Sequence, residues 1–247
     1  MRLNLKSALL RGLALLATCV LALQLALLLR IALMTVIDPQ STSFQRSEAW
    51  RLLTEGRLAW SQQWVDQGQI SKNLPRAVIA SEDAGFVDHA GIDWEALEDA
   101  WDRNQRAQAR AERQMQRNPK RPVSARVVGG STITQQLAKN LFLSGERTGL
   151  RKAQEALITL GLELLLSKQR ILEIYLNNVE WGEGVFGAQA AAQHYFRIDA
   201  ARLSAEQAAR LAVLLPAPKR FERQPWSAYV NGRVATIVAR MGGVATP

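Results

Sequence analysis

Val128 to Leu143 reads V-G-G-S-T-I-T-Q-Q-L-A-K-N-L-F-L. Thr132 followed three residues later by Gln135 has the spacing of a capping box, in which hydroxyl and amide side chains satisfy backbone N–H groups reciprocally. A helix therefore starts here with two glycines leading in, and Ser131 is an alternative cap. Glycines ahead of a helix start leave backbone N–H groups open to an anion. Gln135, Gln136, Lys139 and Asn140 fall at offsets of three and four and so share a face. An amide-rich face with one lysine, beside such a helix start, suits an oxygen-rich ligand that carries phosphate. An ordinary polar surface helix is the other reading. The nucleotide-binding pattern G-x-x-x-x-G-K-[ST] is absent.

Helical spacing extends outward in both directions. Downstream it predicts helices over Leu150–Ser167, Gln169–Asn178 and Ala190–Phe196, with a loop at Gly182, Gly184 and Gly187. A second capping box, Ser204 with Gln207, opens a helix that Pro216 and Pro218 stop. Upstream, Trp50, Leu53, Arg57 and Trp60 suggest a helix within Glu48–Trp64, and Asn73-Leu74-Pro75 breaks the chain. A helix from near Arg76 then delivers Glu82 from its last turns, and Trp94–Trp101 is helical again. At least seven helices, no strand pair and no internal repeat place the chain in the mostly α class.

The chain has 247 residues, 48% of them apolar, which is enough for one sizeable core with attachments. Its 31 basic against 22 acidic residues, formally +9, suit an anionic partner. Gly12 to Leu29 carries no formal charge, and the apolar run resumes at Ile31–Ile37 after Arg30. Residues 12–37 therefore read as a transmembrane anchor, with Arg30 snorkelling near the exit. Arg2, Lys6 and Arg11 lie in residues 1–11 and place that end in the cytoplasm, leaving 38–247 as an extracytoplasmic domain. A cleaved signal peptide is the competing reading, but the run is long and no A-x-A site follows it. Cys19 is the only cysteine, so no intramolecular disulfide forms.

Glu82 and Asp83 stand side by side after the apolar run Ala77–Ala80 in A-S-E-D-A-G-F-V-D-H-A-G-I-D. They are either helix-end acids making local hydrogen bonds or a working site. His89 reads as a structural hydrogen-bonder and His194 as a packed residue. No histidine or cysteine cluster makes a metal set, and no nucleophile motif surrounds either histidine. Arg147, Arg151 and Lys152 crowd a helix start, where positive charge opposes the helix dipole unless an acid or anion compensates. Glu155, four residues after Arg151, could pair with it or face a cleft where Arg147 and Lys139 clamp a phosphate. Residues 102–126 carry eight cations against two acids and little to bury. That composition fits a solvated, mobile segment, a contact with anionic lipid headgroups, or both.

In their order along the chain, E-D-A-G-F-V-D-H-A-G-I-D, G-G-S-T-I-T-Q-Q-L-A-K-N-L-F-L, R-K-A-Q-E and I-L-E-I-Y-L-N-N-V-E-W-G-E-G-V-F-G-A-Q-A-A-A-Q-H-Y-F are similar to motifs of the peptidoglycan glycosyltransferase family, with the fifth in Leu203–Pro216. The resemblance covers roughly residues 70 to 220. It implies a lysozyme-like helical domain behind a single anchor in the cytoplasmic membrane, acting on lipid II and the growing glycan strand. It also implies Glu82 as general base toward the GlcNAc 4-hydroxyl, with inversion at C1 of the donor. Lys139 and Arg147, with Arg151, would stabilise the leaving diphosphate. Ser131, Thr132, Gln135, Gln136 and Asn140 would shape the sugar and diphosphate contacts. Glu155 matches the family's second glutamate, which orients the donor or a divalent cation, Mg or Mn, at the diphosphate; no cofactor is otherwise required. Asp83 and His89 would support the site. Gln154 stands where some relatives carry lysine.

S-x-x-K and K-T-G are absent, so the resemblance is to the monofunctional type without a transpeptidase. Implied partners beyond the substrates are anionic membrane lipids and cell-wall synthesis or division proteins, with no nucleic acid. A glycan hydrolase would use a similar glutamate but needs no diphosphate clamp. A membrane-anchored scaffold would need no Glu82 at all.

Overall fold

A computed structural model describes residues 5–57, 59–117, 129–143, 145–146 and 148–247. Its first element, α1 (Leu5–Leu33), contains the segment Lys6–Leu33, long and apolar enough to cross a membrane at a mean hydropathy of 2.4, with none of its most apolar window buried. A short connection follows and is held by Arg170, which donates to the Met34 carbonyl at 2.8 Å and pairs with Asp38 at 2.6 Å.

The helix expected within 48–64 starts earlier and stops sooner. α2 (Ser43–Thr54) begins at a Thr42–Gln45 capping box, and Gly56, at φ +67°, turns the chain away. The residues that follow lead to a short strand, β1 (Ser61–Gln62). The expected break at Asn73-Leu74-Pro75 is instead the start of α3 (Asn73–Glu82). Proline is tolerated in a first helical turn, where its missing N–H has no intrahelical acceptor to lose. α4 (Trp94–Arg117) continues past Trp101 through the first part of the basic segment as regular helix, and only Ala100 and Ala111 on it are buried. The rest of 102–126 lies outside the described residues.

The Thr132–Gln135 box opens α5 (Ile133–Phe142), and α6 (Gly149–Leu165) and α7 (Lys168–Asn178) follow as expected. The glycine-rich stretch is not a plain loop. β2 (Glu180–Gly182) and β3 (Val185–Phe186) form an antiparallel hairpin, and β1 joins β3 in parallel with Ser61 opposite Val185, giving the order β1-β3-β2. Gly184, at φ +71°, makes the turn, and a Cβ there would stand 1.9 Å from the Ala59 carbonyl oxygen. A Gly184→Ala variant is expected to lose roughly 3 kcal/mol, combining backbone strain and overlap, and to melt at least about 6 °C lower in a thermal scan.

α8 (Ala188–Phe196), α9 (Ala205–Leu214, opened by the Ser204–Gln207 box), α10 (Pro218–Phe221) and α11 (Ala228–Met241) complete the chain. The described residues thus hold eleven α-helices, a mostly α, lysozyme-like domain with one small sheet that sequence reading did not anticipate. α3 runs through the centre between α9 and α11, with Leu74, Ala77, Val78 and Ile79 fully buried. Burying such side chains stabilises by about 1.5–3 kcal/mol each for the larger ones. This packing holds the end of α3, and with it Glu82, in a rigid frame. His194, expected to pack, is exposed on α8 and stands 3.3 Å from Glu222.

Candidate active site

Glu82 is the last residue of α3, and its carboxylate is half-buried. Gln136 Nε2 donates to Glu82 Oε2 at 3.0 Å, and Tyr175 Oη donates to Gln136 Oε1 at 2.9 Å. The second bond fixes the amide orientation, because only the carbonyl end of Gln136 can accept from the phenol. Burial drives the Tyr175 phenol well above its ordinary value, so it remains a donor. Glu82 Oε1 has only a long 3.4 Å contact from Ser81 Oγ, which leaves one carboxylate oxygen available for chemistry. Burial pushes the Glu82 carboxyl above the usual glutamate range. The Gln136 and Ser81 hydrogen bonds oppose that shift, the neighbouring Asp83 charge adds to it, and Arg233 on α11 reduces it. A carboxylate made more basic by burial and still held open on one side is suited to accept a proton.

Asp83 has a different task. Its Oδ2 accepts from the Ile133 backbone N–H at 2.9 Å and its Oδ1 lies 2.9 Å from His89 Nε2. Gly91 N–H donates to His89 Nδ1, so the histidine proton sits on Nε2 and is given to Asp83. The anion that the glycine-led start of α5 attracts is therefore this internal aspartate, fifty residues away in sequence. Two further N–H groups there are consumed by the Thr132–Gln135 box, and Thr132 Oγ1 donates to Gly91 O. The start of α5 is a joint between segments rather than an open anion cradle, and Ser131 is not its cap.

The amide-rich face expected on α5 is likewise divided. Gln135 is buried and folded back on Thr132, Asn140 is buried, Gln136 backs Glu82, and Lys139 is exposed. Only part of the predicted set lines one cleft. Glu82, Asp83, Ser131 and Thr132 share a cavity of about 250 Å³ with Asp93, Gly129, Gly130 and Arg103. Arg103 was hidden from sequence reading inside the basic segment. The clue was Gly130, whose missing side chain lets α4 cross closely: a Cβ there would lie 3.0 Å from Ala100 Cβ.

On α6, Glu155 is buried and ion-paired with Arg151 at 2.7 Å and with Lys152. The local-pair reading of Arg151 and Glu155 thus holds, in a buried rather than a surface setting. Arg151 Nε is buried with no acceptor among the described residues, a donor left over for a ligand. Arg147 lies outside the described residues. Both Glu155 oxygens are paired with cations, and in the Asp83, His89 and Asp93 cluster, whose ligand atoms lie within 4.8 Å of one another, Asp83 and His89 bond Ile133, Gly91 and each other while Asp93 Oδ1 accepts from Ala96 N–H.

A helical domain that presents one basic glutamate to a cleft has the architecture of a site for glycosyl transfer. The profile of the Transglycosylase family matches residues 51–242, and the chain belongs to that family. It is 53% identical to a biosynthetic peptidoglycan transglycosylase of Cupriavidus metallidurans, over 96% of this chain and 98% of that protein. Proteins of the same name from Cupriavidus pinatubonensis and Ralstonia nicotianae are 54% and 51% identical, over 92% and 94% of this chain and 86% and 94% of theirs.

Proposed function

We propose that this protein polymerises lipid II into glycan strands, with Glu82 as the general base. The observation that carries the reading is the Glu82 carboxylate, basic through burial, held at Oε2 by Gln136 and open at Oε1 toward the cleft. In the proposed step Oε1 takes the proton of the GlcNAc 4-hydroxyl of lipid II as that oxygen forms a bond to C1 of the terminal MurNAc of the growing strand. The bond from C1 to the diphosphate breaks on the opposite face, so the configuration inverts, and the leaving polyprenyl diphosphate carries away the electron pair. Lys139, Arg147 and Arg151 would meet that charge, and the unpaired Arg151 Nε supports this role. Fixed cations aimed at developing charge are worth several kcal/mol of barrier. Glu155 would hold Arg151 and Lys152 in place, and no step runs through a metal.

The apolar length of α1 supports a single-pass anchor in the cytoplasmic membrane. Arg2, Lys6 and Arg11 favour a cytoplasmic N-terminus with the catalytic domain outside. Arg110, Arg113 and Arg117, exposed along α4, suit anionic lipid headgroups. Cell-wall synthesis or division proteins are proposed as further partners on the reaction's biology alone.

The test supplies solubilised protein with lipid II and follows glycan polymer and polyprenyl diphosphate, both of which are expected. Shortening of preformed glycan without use of lipid II would show a hydrolase instead. The Gln136 hydrogen bond holds the Glu82 pKa down, so Gln136→Leu raises it further. The acid limb of the pH–rate profile should then move to higher pH, with a several-fold loss at acid pH and little change on the alkaline plateau. An unmoved limb would detach Gln136 from the base.

A further inference from the structure

α4 walls the catalytic cavity through Ala96 and Arg103, and a neighbouring face of the same helix opens a second cavity of about 490 Å³. Trp94, Leu97, Glu98, Trp101 and Asn104 line this groove, and Gly130 borders both spaces. Groove and catalytic cavity thus meet at Gly130, with Glu82 on the far side.

Trp94 and Trp101 are 71% and 66% exposed, with half-exposed Leu97 between them. Helix positions seven apart return to one face and stand about 10 Å apart along the axis. Two indole rings at that interval suit a ladder of rings rather than one small molecule, and a disaccharide unit of a 1,4-linked glycan spans a comparable length.

The surroundings of the indoles select the partner. Glu95, Glu98, Asp99 and Asp102 are exposed on this half of α4, whose first cation is Arg103. That rim repels the anionic lipid headgroups that the arginines of the second half attract. An acyl chain or a purely apolar protein segment would strip water from Glu98 without returning a donor. A sugar answers both demands, because its C–H face packs on the electron-rich face of an indole and its hydroxyls donate to a carboxylate.

Resting on the reading of this protein as a lipid II polymerase, we propose that Trp94 and Trp101 form a platform for the growing glycan strand, carrying the sugars upstream of the reacting MurNAc, with Glu98 accepting from their hydroxyls. The strand leaves the catalytic cavity past Gly130 and lies along α4. Stacking on a ring face fixes no single register, so the strand can slip forward by one unit after each addition without letting go. The platform then sets how many units are added before release.

The experiment uses the full chain in detergent with Glu82→Gln, so that no bond is made, and a lipid-free GlcNAc–MurNAc hexasaccharide as the probe, its dissociation constant measured by saturation-transfer NMR. Trp94→Ala/Trp101→Ala should weaken binding about tenfold. Trp94→Tyr/Trp101→Tyr, which keeps the ring faces, should restore most of it, whereas Trp94→Leu/Trp101→Leu, which keeps only apolar surface, should not. With Glu82 intact, the Ala and Leu pairs should shorten the strands made from lipid II several-fold, and the Tyr pair should not. If the chain polymerises lipid II but fails to bind the hexasaccharide, or binds it equally with and without the indoles, the platform is overturned alone. Leucines that support parental affinity and strand length make the occupant an acyl chain or an apolar protein segment, and overturn it equally. A parent that makes no polymer from lipid II overturns the functional reading and the platform together.

Discussion

Replacing Glu82 by Gln is expected to reduce polymerisation of lipid II by about 10²- to 10⁴-fold, the range assigned to a positioned general base, with little change in lipid II binding. The amide is isosteric and can still accept from Gln136 Nε2, so the fold should persist. It should in fact be firmer. Burial raises the folded-state pKa of Glu82 above its unfolded value, so the folded chain holds that proton more tightly. Stability is then complete below the unfolded value and drains away as pH rises through the folded one. Glu82→Gln removes that loss. Its melting temperature should exceed the parent's well above the glutamate range, with the gain shrinking as pH falls. Unchanged turnover in the variant would remove Glu82 from the reaction, whereas a melting curve identical to the parent's at every pH would deny the buried charge.

The second large effect is expected at Asp83, and it is structural. Asp83→Ala deletes two hydrogen bonds to a charged acceptor and leaves the Ile133 N–H without a partner at a buried helix start. A loss of roughly 3 kcal/mol follows from bonds of that kind. For a chain of this size the melting temperature should fall by about 6–12 °C. Asp83→Asn separates this role from its field. It keeps an acceptor for Ile133 and removes the charge that pushes Glu82 upward, so the acid limb of the rate profile should move to lower pH, opposite to Gln136→Leu.

What could be read from the residues was local. The Thr132–Gln135 and Ser204–Gln207 boxes satisfy themselves within four residues, so their sequence spacing is their structure. The end of α3 at Glu82 followed from an apolar run with acids behind it. What escaped were partnerships across long stretches of chain. Asp83 reaches Ile133, Tyr175 reaches Gln136, and Ser61 pairs with Val185. Spacing cannot reveal such contacts because chain topology makes them. Composition misled at Arg103, where a run of cations concealed one that lines the cleft. Glycine misled at 182–187, where the residues taken for a loop instead allow a hairpin to fit against Ala59. Gln154 looked like a missing cation because its partner, Gln24, sits 130 residues earlier on the anchor.

Arg170 closes the short passage between α1 and α2 by gripping both Met34 and Asp38. An enzyme on a loose tether samples a volume, and its encounters follow bulk concentration. Here the clasp leaves almost no tether to swing on. With α1 in a bilayer, the search for a lipid-borne substrate becomes planar. Turnover should then follow the mole fraction of substrate in the membrane and stay flat when vesicles of fixed composition are diluted.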